Sequence, residues 1–117
     1  MNEISSAVTF WIFDAWRRMA SQLHVRGTKS GKSLASEAGM LWSDPKDSKI
    51  SLELVDERGQ KVEWRVPLAD ARFSFGTLAT NNAAAFGLDD AIWLAFLLAE
   101  FPDGSTLLFA ERFVDRR

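Results

Sequence analysis

Between residues 50 and 68 the chain alternates between apolar and polar side chains. Ile50, Leu52 and Leu54 are separated by Ser51 and Glu53, and Val62, Trp64, Val66 and Leu68 alternate with Lys61, Glu63 and Arg65. A period of two describes strands with one buried and one wet face. The joining residues Glu57-Arg58-Gly59 put glycine third, where a three-residue hairpin loop takes the left-handed conformation. That loop sets Leu54 opposite Val62 and Leu52 opposite Trp64, so the apolar faces agree. It also sets Glu53 opposite Glu63, an unfavourable pair. A loop of Arg58-Gly59-Gln60 would set Glu53 opposite Arg65 instead, so the face is determined and the register stays open. Pro67 cannot donate to a ladder and belongs at a strand end or on an edge.

A second hairpin is expected around Phe101-Pro102-Asp103-Gly104-Ser105. Proline presets the first turn residue, aspartate suits the next, and glycine takes the left-handed position. The flanking strands would be 91–101 and 106–113. The run Ala91–Ala99 is apolar on both faces, as in a central strand, although a helix over 89–100 with acids in its first turn fits the same residues. The turn chemistry favours the strand. Residues 72–78 predict a further strand with Phe73 and Phe75 on one face.

Upstream the period changes. Ile4, Val8, Ile12, Ala15, Trp16, Met19 and Leu23 recur at spacings of three and four, which predicts a helix over 4–24 stopped by Gly27. A short strand at 7–13 is the alternative. The run Phe10-Trp11-Ile12-Phe13 is apolar on too many sides for a simple surface helix, so two faces are covered or the helix docks on another chain. Residues 27–33 are expected to form an exposed basic loop. Residues 34–42 fit a short helix or the start of the sheet, 43–49 carry turn chemistry, 81–85 are a connector, and the tail from 114 frays.

The chain of 117 residues, 47% hydrophobic and 26% charged, fits one domain spanning 1–117. The expected architecture is α+β: an N-terminal amphipathic helix packed on an antiparallel sheet of about four to six strands built from hairpins. Its core is expected at Trp16, Leu52, Leu54, Val62, Trp64, Val66, Phe73, Phe75, Leu97 and Phe109. Nine Phe and five Trp with no Tyr suit such a core, with some rings to spare for a partner surface.

Composition removes several chemistries. There is no cysteine, so disulfides, thiolate metal sites and cysteine nucleophiles are excluded. That fits a reducing compartment. The start, Met1-Asn2-Glu3, lacks the positive charge of a secretory signal, and the longest apolar run is about half of the ~20 residues a membrane-spanning helix needs. A cytoplasmic protein without membrane association is expected. One histidine and no spaced acidic loop give no expected metal site or cofactor.

Charge is uneven. No acid falls between Asp14 and Glu37, where Arg17, Arg18, Arg26, Lys29 and Lys32 cluster, whereas Ser33 to Glu111 holds six bases against thirteen acids. The five cations are the candidate anion-binding residues. Gly27-Thr28-Lys29-Ser30-Gly31-Lys32-Ser33 is similar to a phosphate-binding P-loop, G-x-x-x-x-G-K-[ST], but Arg26 stands where the first glycine is required. The pattern also needs a strand before it. A pI of about 5.4 argues against nucleic acid. His24 has no recognisable nucleophile or orienting group in sequence, and the adjacent pairs Asp56-Glu57 and Asp89-Asp90 suit caps better than two-carboxylate catalysis.

The leading expectation is a small noncatalytic interaction protein acting through a protein partner or as a homodimer, with Phe10, Trp11 and Phe13 as candidate contacts. Alternatives are a module binding a small anionic or phosphate-containing ligand through the basic 26–33 loop, and a nucleic-acid-binding accessory protein. An enzyme using His24 is a further class.

Overall fold

A computed structural model of the chain describes residues 2–19, 21–36, 49–67, 70–77 and 93–112. The order is β1 (Asn2–Ile4), α1 (Ser6–Arg18), β2 (Gln22–Lys29), β3 (Lys32–Ser36), β4 (Lys49–Val55), β5 (Lys61–Pro67), β6 (Arg72–Thr77), β7 (Trp93–Glu100) and β8 (Thr106–Arg112). The strands form one antiparallel sheet in the order β1-β6-β7-β8-β2-β3-β4-β5. The architecture is α+β as expected, with eight strands rather than four to six. Of the turn expected at 43–49, Lys49 instead begins β4 and 43–48 lie outside the described residues, as do the connector at 81–85, residues 37–42 and the tail.

The additional strands come from the N-terminal third, where the helix is shorter than its periodicity predicts. Ser5 caps it, its hydroxyl oxygen accepting from the Val8 N–H at 3.2 Å. At the other end the Ser21 N–H returns to the Trp16 carbonyl at 3.0 Å, the six-to-one bond of a Schellman closure. Arg17 and Arg18 occupy the last turn, where cations meet the negative end of the helix dipole. Residues 22–29 are then strand, not helix. Leu23, Val25 and Gly27 point to one face, and His24, Arg26 and Thr28 to the other.

The expected loop at 27–33 is a two-residue hairpin turn. Ser30 (φ 53°) and Gly31 (φ 75°) take the two left-handed positions of a type I′ turn, leaving Lys29 opposite Lys32. The likeness to a P-loop thus reflects a tight turn between paired strands. The two three-residue loops are built as expected and alike. In one, the Gly59 N–H donates to Asp56 O and the Asp56 N–H to Gln60 O; in the other, Gly104 donates to Phe101 and Phe101 to Ser105, all at 2.9–3.0 Å. The first loop takes the register that opposes Glu53 and Glu63. Two cations relieve the clash: Lys61 lies diagonally across the pair, 3.2 Å from Glu53, and Arg65 lies 3.6 Å from Glu63 on the same strand. Residues 93–100 are strand, not helix.

From β1 to β2 the sheet reverses direction four times, through β6, β7 and β8. The two strands are therefore parallel, and α1 crosses over the three strands between them. Phe13 and Trp16 on its buried face meet Phe109 of β8, the rings of Phe13 and Phe109 lying edge-on at 5.0 Å. Leu23, Val25, Leu97, Leu107 and Phe73 complete this inner core, with Leu52, Leu54 and Trp64 from the β4–β5 hairpin. The expected core residues Val62 and Phe75 pack against it partly buried, and the side chain of Val66 lies outside the description. A bulge between Trp93 and Ala95 turns Trp93 to the opposite face, where it forms a second buried cluster with Phe96, Leu108 and Ala110.

The sheet rolls onto its own inner face. Laid flat, β5 would stand three strand spacings, about 14 Å, from β2. Yet the Trp64 ring lies 3.2 Å from where a Cβ on Gly27 would sit, and its centroid is 5.7 Å from that of Phe101. The roll occurs at β3–β4, where Ala35–Val55 is the single paired position among the described residues. Gly27 is required by this approach, since an added Cβ would also meet Leu107 Cδ2 at 2.8 Å and the Thr106 carbonyl at 2.9 Å. A backbone carbonyl within a ladder cannot yield. Gly27→Ala is therefore expected to lose about 1–3 kcal/mol of stability in urea unfolding; a loss below about 0.5 kcal/mol would refute the packing account.

The Asp103 carboxyl is held below its ordinary value of 3.8, first because it accepts the Ser105 backbone N–H at 2.9 Å, then through the Ser105 hydroxyl, with nearby Lys29 adding a smaller pull. A carboxyl whose pKa is depressed by folding contributes stability above its unfolded pKa and loses it as pH falls through the folded one. The gap in Tm between wild type and Asp103→Asn is expected to be present at neutral pH and to shrink below pH 3.8. A gap unchanged into acid would contradict this linkage.

Candidate functional site

Strand register brings residues far apart in sequence into one line. Leu98 faces Leu108, Leu108 faces Arg26, Arg26 faces Ala35, and Ala35 faces Val55. These five side chains form a continuous row across β7, β8, β2, β3 and β4, on the face away from α1. Four strand spacings give it a length of about 19 Å. Two residues along the strands, about 6.6 Å away, runs a second row in which Thr106 faces Thr28 and Thr28 faces Ser33. The Thr28 and Thr106 hydroxyls are hydrogen-bonded at 3.0 Å. The two rows line a cavity of about 400 Å³, walled by Asp56 and Glu57 of the β4–β5 turn.

The electrostatics of this cavity are specific. Arg26 and Glu57 both line it and both are exposed, and among the described residues neither enters an ion pair. Asp56 is engaged in the turn, its Oδ1 accepting the N–H groups of Arg58 and Gln60 at 2.9 Å each. A second cavity of about 250 Å³ shares the Asp56–Glu57 wall and adds Lys32, Arg58 and Gln60.

The five candidate cations do not converge. Arg26 and Lys29 are three residues apart on one strand and so point to opposite faces. Arg26 faces the row; the Lys29 ammonium lies 5.0 Å over the Trp64 ring on the inner side. Lys32 stands opposite Lys29 and lines the second cavity. Arg17 and Arg18 are on the helix, both bound to Asp14 at 3.1 and 3.0 Å. His24 lines neither cavity described and sits edge-on to Trp93, with ring centroids 5.6 Å apart.

The three aromatic candidates also separate. Phe13 is buried in the core, so contact through it would require α1 to leave the sheet. Phe10 is partly buried against the same core. Trp11 is 77% exposed. Val8 and Met19, also exposed, lie with Trp11 and Ala15 on one stripe of the helix, at spacings of three and four. Thr28, Thr106, Leu98, Leu108 and Glu57 were not expected from sequence as site residues; Thr28 shares β2 with Arg26, and the other four reach it only through pairing from β7 to β4.

No protein-family model matches the chain, and no curated protein or solved structure does either. Among the described residues no helix is long and apolar enough to cross a membrane.

Proposed function

We propose that the chain is a noncatalytic interaction protein that pairs with a second copy of itself through the exposed stripe of α1. The observation that carries this is Trp11, a large apolar ring left 77% exposed on a helix whose opposite side is packed into the core. An indole in water is a poor contribution to folding and a strong one to an interface, where Trp dominates binding energy. The stripe is self-complementary under the two-fold axis of a homodimer. With the helices antiparallel about the middle of α1, Trp11 of one copy meets the small Ala15 of the other, and Val8 meets Met19.

Among the described residues, the two edge strands favour the helix as the contact. β5 closes one edge and presents Lys61, Glu63 and Arg65 as exposed charges, ending on Pro67. Such residues oppose strand addition. β1 closes the other edge with three residues. The absence of cysteine suits a cytoplasmic setting for such an assembly.

Sedimentation equilibrium across a range of concentrations tests the proposal. The expected result is a reversible monomer–dimer equilibrium that Trp11→Glu weakens at least tenfold, corresponding to ~1.4 kcal/mol or more, with circular dichroism unchanged and Tm unchanged at concentrations where both forms are monomeric. A chain that stays monomeric at ~1 mM (a Kd beyond the millimolar range), or a dimer indifferent to Trp11→Glu, would overturn it.

A further inference from the structure

We propose that the cavity over the Arg26 row binds a small zwitterion with an apolar side group, such as a free apolar amino acid, its carboxylate on Arg26 and its ammonium on Glu57. This site is independent of the helix stripe and lies on the other face of the sheet.

Size comes first. A volume of about 400 Å³ is at the small end of the range for small-molecule sites, ~300–1,000 Å³. It suits a compact molecule rather than a dinucleotide or an extended peptide.

Charge then narrows the class. The guanidinium of Arg26 has no carboxylate partner among the described residues and is flanked in its row by Leu108 and Ala35. Its planar fork matches a carboxylate in two parallel hydrogen bonds. The Thr28–Thr106 pair supports the same group. Two hydroxyls own two protons, and their mutual bond uses one, leaving one O–H to donate. Against these donors stand the carboxylates of Asp56 and Glu57. Among the described residues the lining holds one cation and two acids, a balance that repels a phosphate or other dianion. Glu57 is the carboxylate left with no bond from the turn, so it is the acceptor for a ligand ammonium.

The apolar remainder of the ligand is accommodated by Leu98, Leu108 and Val55 at the two ends of the row. The second cavity is a weaker candidate because Lys32 and Arg58 there face the same two acids, so its charges offset one another.

Isothermal titration of the full chain with L-leucine, glycine, 4-methylpentanoate, 3-methylbutylamine and inorganic phosphate tests the site. The expected result is saturable binding of leucine with a Kd of about 1 mM or below, and at least tenfold weaker binding of the other four. Arg26→Ala is expected to abolish leucine binding. Glu57→Gln is expected to weaken leucine toward 4-methylpentanoate while leaving 4-methylpentanoate itself unchanged. Both side chains are exposed, and an unaltered Tm verifies that each variant is folded. No saturable binding of leucine, equal binding of 4-methylpentanoate, preferential binding of phosphate, or leucine binding that survives Arg26→Ala would each overturn the proposal.

Discussion

The indole of Trp64 seated over Gly27 is the contact on which the rest of the arrangement depends. It ties the β4–β5 hairpin, at the end of the sheet, back to β2 near its middle. Because the hairpin is held there, Leu52 and Leu54 join the cluster that contains Phe13, Trp16 and Phe109. The same fold-back fixes where the Asp56–Glu57 turn stands, and hence where the cavity has its wall. A missing side chain at residue 27 is thus a positive structural element: the space it leaves is filled by a ring from three strands away.

β2 divides the labour of the protein between its two faces. Its inward residues, Leu23, Val25 and Gly27, are buried in the core, while Arg26 and Thr28 supply the polar floor of the cavity. This alternation explains why the basic segment is not a basic patch. Neighbouring cations on a strand are sent to opposite sides, and those on the helix are neutralised locally by Asp14. On β7 the same rule is broken once, at the bulge, and Trp93 moves to the outer cluster as a result.

What could be read from the sequence tracks how local its cause is. The loops at Gly59 and Gly104 were legible because a left-handed position in a short loop demands glycine within a few residues. The Gly104 loop decided between strand and helix for 93–100, where periodicity was silent. The end of α1 was not legible, since Leu23 continues the helical spacing from Trp16 and the closing bond, from Ser21 to Trp16, leaves no residue-type signature. β2 was hidden by Gly27, which occupies an inward position where alternation leads one to look for a large apolar residue. The Arg26 row was beyond reach altogether, because its five members come from five strands and acquire meaning only through register. Trp11 and Arg26 were singled out from sequence, whereas the burial of Phe13 emerged only with the direction of the helix.

The path of the chain through the sheet has a consequence for how the protein is made. β2 lies beside β8, and Thr28 bonds to a residue 78 positions later. The parallel pair β1 and β2 is separated by three strands that come from the C-terminal half. During synthesis β2 precedes β8 and cannot take its place beside it until β8 has left the ribosome. Until then α1 lacks Phe109, which its buried face packs on, while the β4–β5 hairpin draws its pairing from within 19 residues. Such non-local pairing slows folding. From its own synthesis until that of β8, α1 therefore carries Phe13 and Trp16 without the Phe109 ring they pack on.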